Sequence, residues 1–185
     1  AVTVMGWIKT GIQTSTKIII TKAMSGSISW GILKSSINTL IFNVSGNGTG
    51  YNLVSGIGNY MIGDNNWHHF GCVYDNTEGF VYIDGVLNVS AGSSGTIFTS
   101  TAPVEIGGRS AGTWIVGIID SIKIYNYALS ATQILHDYQQ FRLQTSFKHE
   151  PWKFTDLYKL AFNLRGDEIY EKTNRISYLR SHPIH

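Results

Sequence analysis

The sequence predicts an all-β domain, an antiparallel sandwich or barrel, carrying one short helix near residues 130–141 and a C-terminal extension. Three observations predict it. Short runs of β-branched and aromatic residues alternate with clusters of Gly, Ser, Thr and Asn. An Asp84-Gly85 pair stands between two such runs, where a two-residue hairpin turn needs residues that tolerate positive φ. Only the segment from Ser130 changes to a helical spacing of apolar residues.

In chain order, Val2–Ile8, Lys17–Lys22, Ile28–Leu33 and Thr39–Val44 read as strands bounded by turn-forming residues. Gly46-Asn47-Gly48-Thr49-Gly50 is too glycine-rich for an element interior and reads as a loop. Trp67–Phe70 begins another short strand, and Phe80–Ile83 and Val86–Val89 flank the Asp-Gly turn. Cys72 shares strand parity with His68, Phe70 and Tyr74, so it is expected as a small buried apolar side chain. Ser130-Ala131-Thr132-Gln133 has the form of a capping box, followed by an apolar stripe of Ile134, Leu135, Tyr138 and Phe141. That helix is expected to pack its stripe against one end of the sandwich.

Charge density divides the chain. Residues 1–140 hold 6 Lys/Arg and 7 Asp/Glu, whereas the 45 residues from 141 to 185 hold 8 and 5. Residues 1–140 are therefore read as the β-domain and 141–185 as a charged, aromatic arm. Pro151–Phe154 and Leu157–Phe162 suit short strands or a helix, Gly166-Asp167 a turn, and Ser177–Pro183 an extended arm. The arm's aromatics, Phe147, Trp152, Phe154, Tyr158 and Phe162, need a surface to cover them.

Composition excludes several function classes. A net charge of +2 with no basic cluster among aromatics argues against nucleic acid as a partner. No run approaches a membrane span, so no membrane insertion is expected. One cysteine cannot make an intrachain disulfide. The chain opens on Ala1, as expected of a processed chain or a fragment. Three Asn-x-Ser/Thr sequons, at Asn43, Asn47 and Asn88, are no more than this composition produces by chance.

Several segments together resemble a laminin-G-like, concanavalin A-like domain of the pentraxin type. They are Thr3–Lys9, Trp67-His68-His69, Tyr82-Ile83-Asp84-Gly85, and Gly117-Ile118-Ile119-Asp120 running through Ala128-Leu129-Ser130. The resemblance covers residues 1–138 and implies a two-sheet antiparallel jelly-roll sandwich. It also implies sugars, sulfated glycans or proteins bound at rim loops, often with calcium. Such domains begin with a further strand upstream that pairs near the last one. Its absence implies an open edge, which the tail or a strand from another chain is expected to fill.

Calcium is possible by resemblance, but the acidic loop of calcium-binding relatives is replaced by Gly108-Arg109-Ser110. Asp120 remains as a weak metal candidate and reads more readily as a hydrogen-bond acceptor. The His68-His69 pair points to opposite faces of a strand, which predicts one buried imidazole and one nearer the surface. Glu78 and Glu105 are too far apart in sequence to serve as a glycosidase pair, so no enzyme activity is expected.

Tyr51, Arg109 and Trp114 lie in loop-like segments and are the ligand-binding candidates: an aromatic face can stack on a sugar ring and an Arg can hold an acidic group. Trp114 can equally plug the end of the sandwich. The resulting expectation is a non-catalytic adhesion module that binds a glycan or protein surface in an extracellular, cell-surface or virion setting. The alternative is a structural component of a virion or surface assembly, with residues 141–185 anchored on neighbouring chains.

Overall fold

Ten strands pair into two five-stranded antiparallel sheets among the described residues, 1–57, 60–109 and 112–146 of a computed structural model. In chain order they are β1 (Val2–Thr10), β2 (Lys17–Met24), β3 (Ser27–Lys34), β4 (Leu40–Val44), β5 (Val54–Ile57), β6 (Trp67–Tyr74), β7 (Gly79–Ile83), β8 (Val86–Ala91), β9 (Val104–Ile106) and β10 (Gly117–Tyr125), with helix α1 (Ala131–Ser146) last. The first sheet runs β10-β1-β6-β7-β8 and the second β5-β4-β3-β2-β9. The sheets face each other across one core, so the sandwich is realised and the barrel is not. The elements predicted for the arm lie outside the described residues, as do Phe147, Trp152, Phe154, Tyr158 and Phe162.

Alternation along each strand fills the core. Val4 and Ile8 of β1 and Phe70, Cys72 and Tyr74 of β6 meet Trp30 and Ile32 of β3 and Phe42 and Val44 of β4. Strand β2 departs from strict alternation, with Ile19 and Ile20 both fully buried. A register shift against β3 between Ile18 and Ile20 turns two consecutive side chains inward. The Asp84-Gly85 hairpin has φ of 51° and 79° at its two central residues, the signs a type I′ turn requires.

Helix α1 starts where the capping box predicts. The Ser130 backbone N–H donates to Gln133 Oε1 at 2.9 Å, and the Gln133 N–H donates back to Ser130 Oγ at 3.3 Å. Its resting place differs from the expectation. Ile134 packs with Met5, Val73, Tyr82 and Leu129 on the outer face of the β1-β6-β7 region, not at an end of the sandwich. The reason lies in the sheet: Gly71 leaves a gap on that face, where an added Cβ would sit 3.0 Å from Ile134 Cγ2. Leu135, expected in the buried stripe, is partly exposed beside the Asp84-Gly85 turn.

One long side of the sandwich is less tightly closed. Strands β9 and β10 are edges of their sheets. Ile106 lies opposite the core residue Ile20, and Ile124 opposite Val4, so both face inward. Each is nevertheless substantially exposed. A groove of about 410 Å³ opens there, lined by Trp30, Phe98, Val104, Ile124 and Tyr125.

Candidate functional site

The second sheet turns Thr21, Gly31, Asn43 and Glu105 to its outer surface, directly opposite one another on β2, β3, β4 and β9. This row is unusual for an outer face because Thr21 and Asn43 are buried. The covering side chains are two of the residues picked out by sequence. The loop after β4 brings Tyr51 back over the sheet, where an added Cβ on Gly31 would lie 3.0 Å from its hydroxyl oxygen. The Thr21 hydroxyl partners the phenol, and burial pushes the Tyr51 phenol above its ordinary value. Arg109 reaches the same face, close enough for its charge to act on Tyr51.

Arg109 is not free to act as a bare cation. Its Nε lies 3.4 Å from Glu105 Oε2, and its Nη1 donates to the Ala23 carbonyl. The pair is about one-third exposed on each side and presents donors and an acceptor with no net charge. Glu105 is the residue sequence reasoning left out of the site. No local signal marks it, because its place on this face depends on β9 pairing with β2.

Arg109 and Trp114 project from one loop, closed by the Ile115 N–H donating to the Gly107 carbonyl at 2.8 Å. The Arg109 N–H donates to Thr113 Oγ1 at 3.2 Å within it. The Trp114 ring lies against Gly108, and its backbone forms an isolated parallel bridge with Ile18. Trp114 is 55% exposed, so it does not plug the sandwich. Tyr51 and Arg109 therefore converge on the sheet face, and Trp114 stands on the loop that carries Arg109.

The other sequence candidates resolve into structure. Asp120 accepts the Ser121 backbone N–H at 2.7 Å, where Ser121 has φ 51° and the β1–β10 register shifts. That is the role of a carboxylate stabilising a bulge. No group of three or more His, Cys, Asp or Glu side chains among the described residues can surround one ion. Glu105 is engaged by Arg109, so the residues present do not fit calcium at this face.

The two histidines differ from expectation, since both are buried. They do point to opposite faces. His68 is held between Asp84 at 2.9 Å on Nδ1 and Asp64 at 3.0 Å on Nε2. His69 lies beneath α1 between Trp7 and Tyr138, with Nε2 3.3 Å from Asp137. The helix covers the face on which His69 emerges, and periodicity in β6 alone cannot reveal that.

A family model described as the concanavalin A-like lectin/glucanases superfamily matches residues 1–135. No curated protein is a match at the level of sequence. Among solved structures, the binding domain of Paraclostridial Mosquitocidal Protein 1 is similar at 16% identity and TM-score 0.59, covering 76% of this chain and 37% of that one. The binding domain of botulinum neurotoxin serotype D/C is similar at 18% identity and TM-score 0.57, covering 75% and 36%. A mutant of Trypanosoma rangeli sialidase displaying trans-sialidase activity is similar at 16% and 0.57, covering 74% and 22%. The chain thus spans between about a fifth and two fifths of those chains. At such identities the likeness is one of fold.

Proposed function

The chain belongs to the concanavalin A-like lectin/glucanases superfamily, and we propose that it is a non-catalytic recognition module whose outer sheet face takes a glycan or protein surface. The observation that carries this reading is the convergence of Tyr51, Arg109 and Glu105 over a row of small polar residues. A phenol ring supplies a stacking surface, and a guanidinium–carboxylate pair supplies donors and an acceptor for neighbouring hydroxyls. Because Glu105 already meets the Arg109 charge, the site favours neutral polyhydroxyl or amide groups over strongly acidic ones.

Catalysis is not part of the reading. A glycosidase needs two carboxylates on either side of the scissile bond, and Glu105 is the one carboxylate on this face among the described residues. The structural neighbours that are binding domains support recognition, and the sialidase neighbour shares the fold. An extracellular, cell-surface or virion setting follows from the reading as its expected context.

A glycan array tests it. Specific binding that falls at least tenfold in Arg109→Ala, Tyr51→Ala or Trp114→Ala supports the proposal. Absence of binding to any glycan or to cell-surface protein overturns it.

A second reading is favoured by a separate observation. Inward-facing Ile106 and Ile124 are exposed along the β9 and β10 edges, which suits a strand contributed by a neighbouring chain. In that case the domain is a structural component of a virion or surface assembly, with residues 141–185 reaching neighbouring chains. Cross-linking in the native particle from Ile124→Cys to a neighbouring chain supports this reading, and failure to cross-link counts against it.

A further inference from the structure

Four loops meet at the end of the sandwich where β1 finishes, and hydrogen bonds tie them together. The Gln13 N–H donates to Asn38 Oδ1 at 2.8 Å, and the Ile62 N–H donates to the Asn38 carbonyl at 2.9 Å. The Val116 N–H donates to Gln13 Oε1 at 3.2 Å, and the Asn65 N–H donates to the Thr10 carbonyl at 3.0 Å. The loops at 11–16, 35–39, 60–66 and 112–116 contain one charged residue, Asp64, whose carboxylate is engaged by Asn66 and by His68 Nε2 at 3.0 Å.

Each of these loops instead presents an aliphatic side chain to solvent. Ile12 is 75% exposed, Ile37 71% and Val116 73%, and Met61 is more than half exposed. Four such side chains on four tied loops exceed the scattered single exposures normal on a soluble surface. Behind these tips stand Tyr60 and Trp67, both partly exposed, and the lysines at the adjoining strand ends, Lys9 and Lys17. Lys9 lies opposite both Trp67 and Ile118 in the sheet.

We propose that this loop end is a membrane-contact tip that sets Ile12, Ile37, Met61 and Val116 into the apolar boundary of an anionic lipid bilayer. Separate aliphatic apices suit a fluid, deformable phase, since they leave between them gaps that acyl chains fill. Tyr60 and Trp67 sit where aromatic residues settle at the headgroup level. Lys9 and Lys17 stand at the strand ends beside these loops to complement anionic headgroups, the Lys17 ammonium also donating to the Gly112 carbonyl at 2.8 Å.

The proposal departs from the sequence expectation of no membrane insertion, which rested on the lack of a long apolar run; no helix among the described residues is long and apolar enough to cross a membrane. Superficial insertion needs no such run, because side chains from different loops enter one by one. Tyr51 and Arg109 lie over the sheet face, whereas Trp114 stands on the loop that also supplies Val116 to this end, so Arg109→Ala and not Trp114→Ala separates this proposal from the glycan reading.

Co-sedimentation of the full chain with vesicles tests it, using phosphatidylcholine alone and phosphatidylcholine with one quarter phosphatidylserine. The expected result is binding that is stronger on the anionic vesicles and weakened by salt. Ile12→Ser/Ile37→Ser/Val116→Ser is expected to lower that affinity about a thousandfold, since each of the three buried aliphatics contributes about tenfold. Lys9→Gln is expected to remove roughly fivefold from the anionic vesicles only. Arg109→Ala is expected to bind vesicles as the wild type does. These side chains are exposed, so an unchanged thermal midpoint shows that the variants fold. Wild-type chain that stays in the supernatant with both vesicle types overturns the proposal and leaves the tip as a protein-docking surface. Undiminished sedimentation of the triple serine variant overturns it as well.

Discussion

His68 Nδ1 lies 2.9 Å from Asp84 Oδ2, which joins the start of β6 to the turn of the β7–β8 hairpin. The other oxygen of the same carboxylate accepts the His69 backbone N–H at 2.8 Å. Asp84 therefore serves twice: it adopts the positive φ of the turn, and it fixes that turn to the neighbouring strand. Asp64 holds the second ring nitrogen of His68, and the Asn66 backbone N–H keeps the Asp64 carboxyl down at about 2.

The first prediction follows from that clamp. The Asp84 hydrogen bond, aided by Asp64, raises the His68 imidazole above its ordinary value. A raised folded-state value stabilises the fold fully below the unfolded value of about 6.5, and that stability is lost as pH rises through the folded value. His68→Gln is expected to cost about 1.5–3 kcal/mol at pH 5.5, the range for a hydrogen bond to a charged group. The deficit is expected to shrink as pH rises above about 6.5 and through the raised folded-state value. Thermal midpoints of both proteins across that range check it, and a pH-independent deficit would refute the charged clamp.

His69 predicts the opposite slope. Burial lowers its imidazole, the Asp137 carboxylate opposes that without reversing it, and Nδ1 has no partner among the described residues. A neutral His69 stabilises the fold above about pH 6.5, and this contribution is lost as pH falls below the unfolded value toward the lowered folded one. His69→Phe keeps a ring against Trp7 and Tyr138 but loses the bond to Asp137. The variant is expected to be less stable than the wild type at pH 8 and to close the gap by pH 5. Paired denaturant titrations at the two pH values measure it.

Much of this scaffold is legible in the sequence because its signals are local. Asp84-Gly85 specifies its own turn, and Ser130 and Gln133 specify the helix start, with no reference to the rest of the chain. What escapes is set by contacts between distant segments. Gly71 on β6 makes room for Ile134 some sixty residues later, so α1 lies on a sheet face rather than at an end. The burial of both His68 and His69 depends on Asp64, Asp84 and α1 together. The site divides in the same way. Tyr51, Arg109 and Trp114 stand out by residue type in glycine-rich loops. Glu105 does not, because its place beside Arg109 depends on β9 joining β2.

Cys72 offers a test of the core. It is fully buried between β1 and β7, and burial pushes its thiol far above the ordinary range. The thiolate is the reactive form, so the native chain is expected to leave a disulfide-exchange reagent unreacted for hours at pH 8. One equivalent is expected to react at once in guanidinium chloride. Rapid reaction of the native chain would show that the sandwich opens on its β1–β6–β7 side.

Gly108 and Gly112 form a matched pair for the loop that carries Arg109 and Trp114. Both have positive φ, 145° and 85°, so alanine at either strains the backbone, at a cost of about 1–3 kcal/mol. They differ in space. A Cβ on Gly112 meets nothing within 4 Å, whereas one on Gly108 falls 2.4 Å from Trp114 Cε3 and 2.7 Å from Trp114 Cα. The ring can turn aside, but the Cα cannot move without displacing the bridge between Trp114 and Ile18. Gly108→Ala is therefore expected to lower the thermal midpoint further than Gly112→Ala. It is also expected to reproduce the binding loss of Trp114→Ala, while Gly112→Ala keeps near-wild-type binding. Equal effects of the two substitutions would mean that the Trp114–Gly108 contact does not position the loop.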